Sequence, residues 1–233
     1  MFMRYVLTLT FLIFGSVSSF LPRTTQTQNR NGICLDSKKH KSDDKSHQSV
    51  FTAGTFIEFD EKKRDHIGKI THLEQKSNGS ARYDVTDNDG KHYQIPDKAV
   101  HFAITPPNSP GPAEKLFQEF CAAQKSSDDD LLTELDISPE ILELAWEDAL
   151  ENDSKDVTPE NLIELVHSHT ASSIEKYQAW RLLQSDISHV FFKDMKDHGR
   201  VSSFKVKARN SVDAAKISFC MDEGHAHSEI CLV

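Results

Sequence analysis

The stretch that decides the fold runs from Ser138 to Lys193 and reads SPEILELAWEDALENDSKDVTPENLIELVHSHTASSIEKYQAWRLLQSDISHVFFK. It contains three helix start signals. At Ser138 and at Thr158 an N-capping residue precedes a proline, whose missing N–H costs nothing in the first helical turn and whose fixed φ suits a helix. At Ser172 a glutamate three residues later, Glu175, completes a capping box. We therefore predict three successive helices in this stretch.

Apolar residues recur at helical spacing behind each start signal, and a β-rich pattern follows them. Trp146 and Trp180 lie in these stripes, which normally face a core, so we interpret both tryptophans as packing residues. Further along, the runs 189–193 and 201–206 flank a turn that contains Gly199, which predicts a β-hairpin. Three helices followed by a hairpin indicate a winged helix. Such modules usually bind nucleic acid or another protein, so the pattern narrows the class of function.

The N-terminal fifty residues predict targeting rather than a folded core. Residues 1–19 combine Arg4, an apolar run too short to span a bilayer and small residues, which is typical of a signal peptide. Residues 20–50 are rich in Arg, Ser, Thr, Gln and Lys, and their first acidic residue is Asp36, as in a disordered transit peptide. Together they resemble the bipartite presequences of algae whose plastids lie inside extra membranes. Plastid localisation is predicted, with no membrane association once the presequence is removed, and ordinary secretion is the alternative.

Residues 51–104 predict a small β-barrel. Five short β-rich runs fill this segment, and two of the gaps carry hairpin-turn sequences, SNGS at 77–80 and DNDG at 87–90. Four or five such strands favour an SH3-like or OB-like barrel. The following TPPNSPGP, residues 105–112, predicts a stiff extended linker. The expected fold class is therefore α+β, with the barrel followed by a helical winged-helix domain over residues 113–217.

The order of these motifs resembles a known family. The segments that carry the resemblance are GTFIEF at 54–59, LELAWEDALEND at 142–153, VTPENLIELV at 157–166, SIEKYQAWRLLQSD at 173–186 and VFFK at 190–193. They look like the N-terminal region of plastid and cyanobacterial RNase II/RNase R-type exoribonucleases, where a small barrel and a winged helix precede the catalytic domain. The resemblance spans residues 51–217. It implies a module that helps to deliver single-stranded RNA to a processive, magnesium-dependent 3′ to 5′ hydrolase.

The same family resemblance implies that the catalytic chemistry is not carried by this chain. The catalytic domain of the family holds magnesium through several aspartates, and it is far larger than the sixteen residues after Ile217. Asp128, Asp129 and Asp130 are adjacent, so they cannot all aim at one ion, and we interpret them as a solvated linker between two helices. No catalytic residue, metal ligand or cofactor is predicted, and no nuclease activity is expected of this chain alone.

Charge is distributed unevenly along the chain, whose formal net charge is −9. Residues 114–170 carry sixteen acidic against three basic side chains, and these helices should repel a phosphate backbone. Residues 172–217 carry nine basic against five acidic ones, so the third helix and the wing are predicted to face RNA. In the barrel, cations alternate with rings that can stack on bases. The predicted RNA-binding residues are Lys69, His72, Arg82, Tyr83, Lys91, Tyr93, Lys193, Lys196, Arg200, Lys205, Lys207 and Arg209.

Residues 218–233 predict a disordered tail. Cys220, His225, His227 and Cys231 are zinc-competent, but their spacing does not match the usual pair-and-pair arrangement and no apolar cluster surrounds them. The chain's few, widely spread cysteines are unlike a secreted disulfide scaffold and favour a reducing compartment.

Two hypotheses from different classes follow. The first is an RNA-binding accessory region of an exoribonuclease, with single-stranded RNA as partner and with a nuclease or another protein as a further expected partner. The second is a protein-interaction module in which the acidic helices dock a basic partner. A DNA-binding winged helix is a third reading, which is weaker because the resemblance points to RNA and the acidic helices leave little basic surface.

Overall fold

The computed structural model describes residues 50–75, 80–152, 154, 156–197 and 199–221, all of which lie in one compact unit, 47–233. The predicted signal peptide and, apart from Val50, the predicted transit segment lie outside the described residues. Among the helices that are described, none is long and apolar enough to cross a membrane.

Five antiparallel strands form the first sheet, in the order β4-β3-β2-β1-β5. They lie where the sequence predicts them and are β1 (Phe56–Asp60), β2 (Asp65–Gln75), β3 (Ala81–Asp87), β4 (His92–Pro96) and β5 (Val100–Ile104). Consecutive strands pair up to β4, and β5 returns to pair with β1 after a 3₁₀ turn, Asp97–Ala99. This meander is the SH3-like alternative of the prediction, since an OB-fold has a Greek-key order.

Seven α-helices occupy the described part of the remaining chain. They are α1 (Pro110–Ala123), α2 (Asp128–Glu134), α3 (Pro139–Glu151), α4 (Pro159–His167), α5 (Ser173–Leu183), α6 (Ser188–Phe191) and α7 (Arg209–Met221). The three predicted start signals are confirmed, because the side chains of Ser138, Thr158 and Ser172 each accept a hydrogen bond from the backbone N–H three residues on. At Ser172 the capping box is complete, since Glu175 accepts from the Ser172 N–H at 2.7 Å.

A three-stranded sheet completes the winged helix. Its strands are β6 (Asp156–Val157), β7 (Phe192–Asp197) and β8 (Arg200–Val206), in the order β6-β8-β7. Both tryptophans connect the helices to β8 or to the residue that follows it. The Trp146 indole N–H donates to the carbonyl of Lys207 at 2.8 Å, and the Trp180 indole N–H donates to the carbonyl of Val201 at 3.1 Å. The α+β fold class and the packing role of the tryptophans are therefore confirmed.

Two local predictions were wrong because the short sequence pattern on which each was based also fits a helix. Asp128, Asp129 and Asp130 form the first turn of α2 rather than a linker, since Ser127 and Asp130 make a capping box and acidic groups favour the positive end of a helix. The run from His189, which looks like a strand, begins in the short helix α6, where Ser185 and Ser188 satisfy each other's polar groups in the core.

Two element boundaries also differ from the prediction. Helix α1 begins at Pro110, inside the predicted linker, because Ser109 precedes a proline in the first helical turn. Helix α7 continues to Met221, so residues 218–221 of the predicted disordered tail are helical. Residues 222–233, with three of the four zinc-competent side chains, lie outside the described residues.

The barrel and the helices share a hydrophobic core. One apolar cluster fills the barrel, with Ile57, Phe59, Ile70 and Val85 among its members. A second cluster joins the outward side of the barrel to the helices through the residues Phe56, Ile67 and Ile104. Ring contacts cross this junction, as between Phe56 and Phe117 at 4.9 Å and between Phe102 and Trp180 at 5.2 Å.

Helix α5 lies at the centre of that junction and carries its buried polar contact. Glu58 of β1 is 4% exposed and accepts hydrogen bonds from the Tyr177 hydroxyl at 3.0 Å and from the Gln124 amide at 3.1 Å. Burial raises the pKa of the Glu58 carboxyl above its ordinary value of 4.5, while these two hydrogen bonds act in the opposite direction. The charged form of Glu58 is therefore less favourable in the folded protein than in water.

We expect Glu58→Gln to gain stability relative to the natural protein as the pH rises above 4.5. Because the folded state holds the Glu58 proton to higher pH than the unfolded chain, the stability that this group contributes is full below pH 4.5 and is lost as the pH rises through the folded-state pKa. Thermal unfolding between acidic and neutral pH measures the effect, at about 2 to 4 °C per kcal/mol for a chain of this size. The exposed Glu151→Gln is the control, and a difference between Glu58→Gln and the natural protein that does not change with pH contradicts the argument.

Candidate nucleic-acid interface

The outward face of the wing carries a pair of lysines. Lys193 on β7 lies directly opposite Lys205 on β8, and Asp156 of β6 lies opposite Lys205 on its other side. Both lysines are exposed. Like charges at directly opposite positions destabilise a sheet, so packing does not explain this pair. Two adjacent ammonium groups beside a single carboxylate suit a polyanion.

Two further predicted cations are exposed but differ in their surroundings. Lys196 lies near the tip of the wing and forms no ion pair within the described residues. Arg209, at the start of α7, approaches Glu147 at 3.4 Å, and its guanidinium lies 5.5 Å from the centre of the Trp146 ring. Lys196 is free for a ligand, whereas Arg209 is partly occupied by α3.

Arg200 stays a prediction as an RNA contact, but the fold already engages its guanidinium internally. It forms an ion pair with Asp97 and donates to the backbone carbonyls of Val100 at 3.1 Å and Asp97 at 2.9 Å. The Arg200 side chain is 17% exposed, and its guanidinium also lies 4.8 Å from the centre of the Phe51 ring. This residue fastens the wing to the barrel.

Lys207 is likewise engaged within the fold, and its contact with RNA stays a prediction. Its ammonium donates a short hydrogen bond to the carbonyl of His189 in α6, and its own carbonyl accepts from Trp146. Burial lowers the pKa of the Lys207 ammonium, and the nearby charge of Lys193 lowers it further. Lys207 therefore helps to hold α6 against β8 rather than to present a charge.

The barrel contributes a polar outer face on β2, β3 and β4. Lys69 lies opposite Thr86, His72 lies opposite Asp84, and Arg82 lies on the same side of β3. Arg82 donates to Gln94 at 3.2 Å, and Gln94 donates in turn to Asp84 at 3.2 Å. The cations on this face thus alternate with acidic and amide groups, which is less favourable for a polyanion than the wing pair.

The ring of Tyr83, predicted to stack on a base, belongs to the barrel core and has no exposed face in this structure. It is 0% exposed, and its hydroxyl donates to Asp97 at 2.7 Å and accepts from the N–H of Phe51 at 3.2 Å. Burial and the bond to Asp97 raise the pKa of Tyr83 to about 12. The sequence predicted that Tyr83 lies on a strand, but it did not show which face of the sheet the ring occupies.

Lys91 and Tyr93 lie at a separate cleft at one end of the barrel. Sequence reasoning missed Lys62, Arg64 and His66 of this cleft, which belong to the β1–β2 turn and the start of β2. The cleft measures about 510 Å³ and is lined by Glu61, Lys62, Arg64, His66, Lys91, His92, Tyr93 and Gln94. The sequence signal for these cleft residues is the run EKKRDH at 61–66, a charge-rich turn between two predicted strands.

The third helix of the winged helix, α5, was predicted to face RNA, but most of its surface is taken up by packing. It packs against α1, α2 and α4 as well as against the barrel. Arg181 donates to the backbone carbonyl of Ala123, and Lys176 pairs with Glu160 at 3.4 Å. The helix that many winged-helix proteins insert into a DNA groove is therefore part of the interior here.

Over the described residues, no group of three or more His, Cys, Asp or Glu side chains is arranged to hold a metal ion.

These features define an SH3-like barrel joined to a winged helix whose cations lie on the wing and at the end of the barrel. Residues 132–211 match a family described as the winged helix domain of ribonuclease II. The match begins within α2 and ends within α7, so it covers the helices α3 to α6 and the three strands of the wing sheet. This part of the chain is thus similar to the winged helix in the N-terminal region of ribonuclease II-type proteins. No curated protein and no solved structure gave a significant match.

We expect Arg200→Ala to destabilise the fold by about 3 kcal/mol, because it leaves the buried Asp97 carboxylate without its cation. Lys196→Ala, on the exposed side of the same hairpin, should change the free energy of unfolding by less than about 0.5 kcal/mol. Urea unfolding of the two variants measures the difference. Equal, small effects would show that Arg200 is not the anchor described above.

Proposed function

We propose that this protein is an RNA-binding accessory module of the ribonuclease II type, in which the outward face of the wing contacts the phosphate backbone of single-stranded RNA. The observation that carries the proposal is the match of residues 132–211 to the ribonuclease II winged helix domain. The role proposed for this chain is binding rather than hydrolysis. No catalytic or metal-binding residue is assigned to it.

The position of the cations supports this proposal. Lys193 and Lys205 are exposed opposite each other, and Lys196 follows on the same hairpin. Acidic side chains dominate α2, α3 and α4, so a polyanion is repelled from those helices and directed to the wing. Because α5 is buried, sequence-specific reading of a DNA major groove is disfavoured. A backbone contact that reads no sequence suits a module that handles many RNA substrates.

We expect Lys193→Gln combined with Lys205→Gln to weaken RNA binding and to reduce its salt dependence. For single strands, each lost phosphate contact lowers the slope of log K against log salt by about 0.7, so the double variant should lose about 1.4. Anisotropy of a fluorescein-labelled oligouridylate of about 12 nucleotides, titrated with the full chain at several salt concentrations, measures both quantities.

The matched control for this charge change is Lys115→Gln combined with Lys125→Gln. Both of these lysines are exposed on the acidic side of the molecule, so the control changes the net charge equally without touching the wing. The proposal fails if the two double variants bind alike, or if the natural protein binds no RNA at low salt. Unchanged thermal unfolding of the wing variant shows that the loss is not one of folding.

A second candidate function is the docking of a basic protein segment on α3 and α4. Glu143 and Glu147 are already paired with Lys216 and Arg209 of α7, at 2.6 and 3.4 Å. Glu140 and Asp148, by contrast, are exposed and form no ion pair within the described residues. They flank Leu144, which is 61% exposed, at i and i+4 spacing. An exposed apolar side chain between two carboxylates that form no ion pair, of which Glu140 is hydrogen-bonded to Ser138, suits an amphipathic basic helix.

We expect an amphipathic Leu/Lys helical peptide to bind the natural protein and to lose affinity for Glu140→Lys combined with Asp148→Lys. Calorimetric titration measures this binding, and the wing double variant is the control, which should bind the peptide like the natural protein. Binding that is insensitive to Glu140→Lys and Asp148→Lys removes this candidate.

The compartment is proposed on the sequence alone. Residues 1–19 and 20–50 suit delivery to a complex plastid, with ordinary secretion as the alternative. In the plastid reading, a nuclease of the same compartment is a further proposed partner for the module.

A further inference from the structure

The cleft at the end of the barrel has the composition of a nucleotide subsite. We propose that it binds one nucleotide of a single-stranded RNA, with phosphates held by Lys62, Arg64 and Lys91 and the base resting against the His66–Tyr93 ring pair. The inference rests on the proposed function in that its ligand is the same class of RNA, but it assigns a second contact region on a different sheet.

The cations of the cleft are not neutralised by the fold. Lys62 approaches Glu61 at 3.8 Å, and both side chains are exposed. Within the described residues, Arg64 and Lys91 form no ion pair with a carboxylate. Asp87, the acidic group beside them, is already engaged: it accepts from the Lys91 N–H at 2.9 Å and from the Tyr93 hydroxyl at 2.8 Å. The cleft therefore presents an excess of positive charge to an incoming anion.

The turn that carries Lys62 has a backbone conformation that lysine residues adopt only at an energetic cost. Glu61 and Arg64 exchange both backbone hydrogen bonds, at 2.9 and 3.2 Å, so the turn is a two-residue hairpin. Lys62 and Lys63 have φ values of +56° and +64°, as in a type I′ turn. Such turns favour Asn-Gly, because only glycine and asparagine adopt positive φ readily. Two lysines at these positions are unfavourable for the fold, which is consistent with a role for their charge.

The rings of the cleft offer a surface for a base. His66 and Tyr93 lie 5.2 Å apart between ring centres, and both contact the buried Phe59 ring, at 5.7 and 5.3 Å. Phe59 is fully buried, so this ring pair has a rigid support. The Lys91 ammonium lies 4.8 Å from the centre of the Tyr93 ring. An aromatic support beside cations is the arrangement that binds the bases and backbone of a single strand.

The size and shape of the cleft agree with a nucleotide inside a longer strand. Its volume of about 510 Å³ lies within the usual range for small-ligand sites, about 300 to 1,000 Å³. The cleft opens to solvent along the β1–β2 turn, where Lys62 and Arg64 are exposed. A strand can therefore enter and leave, as an enclosed small-molecule pocket would not allow.

The test replaces the turn by its preferred sequence, Lys62→Asn with Lys63→Gly. This variant should unfold at a higher temperature than the natural protein, because Asn-Gly fits the type I′ turn, and it should bind RNA more weakly. Since stability and binding move in opposite directions, a loss of affinity cannot be attributed to unfolding. A second variant, Arg64→Gln, keeps the turn and removes one cation. Each lost phosphate contact should lower the salt slope by about 0.7 for the oligouridylate.

Comparison with the wing variant separates the two proposals. If the cleft variants bind the oligouridylate like the natural protein while Lys193→Gln with Lys205→Gln is weakened, the cleft proposal is overturned and the wing proposal stands. The reverse result overturns the wing and supports the cleft. An abasic oligomer of equal length tests the rings: binding weaker than that of the oligouridylate supports base stacking, and equal binding overturns the role given to His66 and Tyr93.

Discussion

The packing of α5 against the barrel is the constraint on which the rest of the structure depends. Tyr177 contacts Phe102 and Phe120 on its apolar sides and donates to the buried Glu58. A buried carboxylate is tolerated only when its oxygens are satisfied, so this contact requires α1, α5 and β1 to meet in one arrangement. The barrel and the winged helix consequently behave as parts of one core.

In this shared core, some basic residues have a structural role and others are exposed to solvent. Arg200 and Lys207 are anchors, the first between wing and barrel and the second between α6 and β8. Lys193, Lys205 and Lys196 are exposed on the wing and are available to a ligand. The third helix of this winged helix is largely buried, and the exposed cations named above lie on the wing.

Most of the secondary structure was predictable, because its signals are local. The caps at Ser138, Thr158 and Ser172 depend on atoms three residues apart, and the strands are bounded by their own turns. The roles of individual side chains, by contrast, depend on partners that are distant in the sequence. Arg200 bonds to Asp97, 103 positions away, and no pattern around Arg200 reveals that bond. The cleft joins the β1–β2 turn to β4, so it is recognisable only once the barrel has closed.

The shared core also has a consequence for the order of synthesis. The barrel is complete when Ile104 has been made, but Tyr177 follows 73 residues later. At translation rates of about 5 to 20 residues per second, the ribosome takes about 4 to 15 s to cover that distance. Helix α1, whose Phe117 contacts Phe56, is made early in this interval, but α5 is not, so the cluster around Phe56, Ile67 and Ile104 is only partly covered until then. The completed nascent barrel therefore exposes part of an apolar surface until α5 has been made and packs against it.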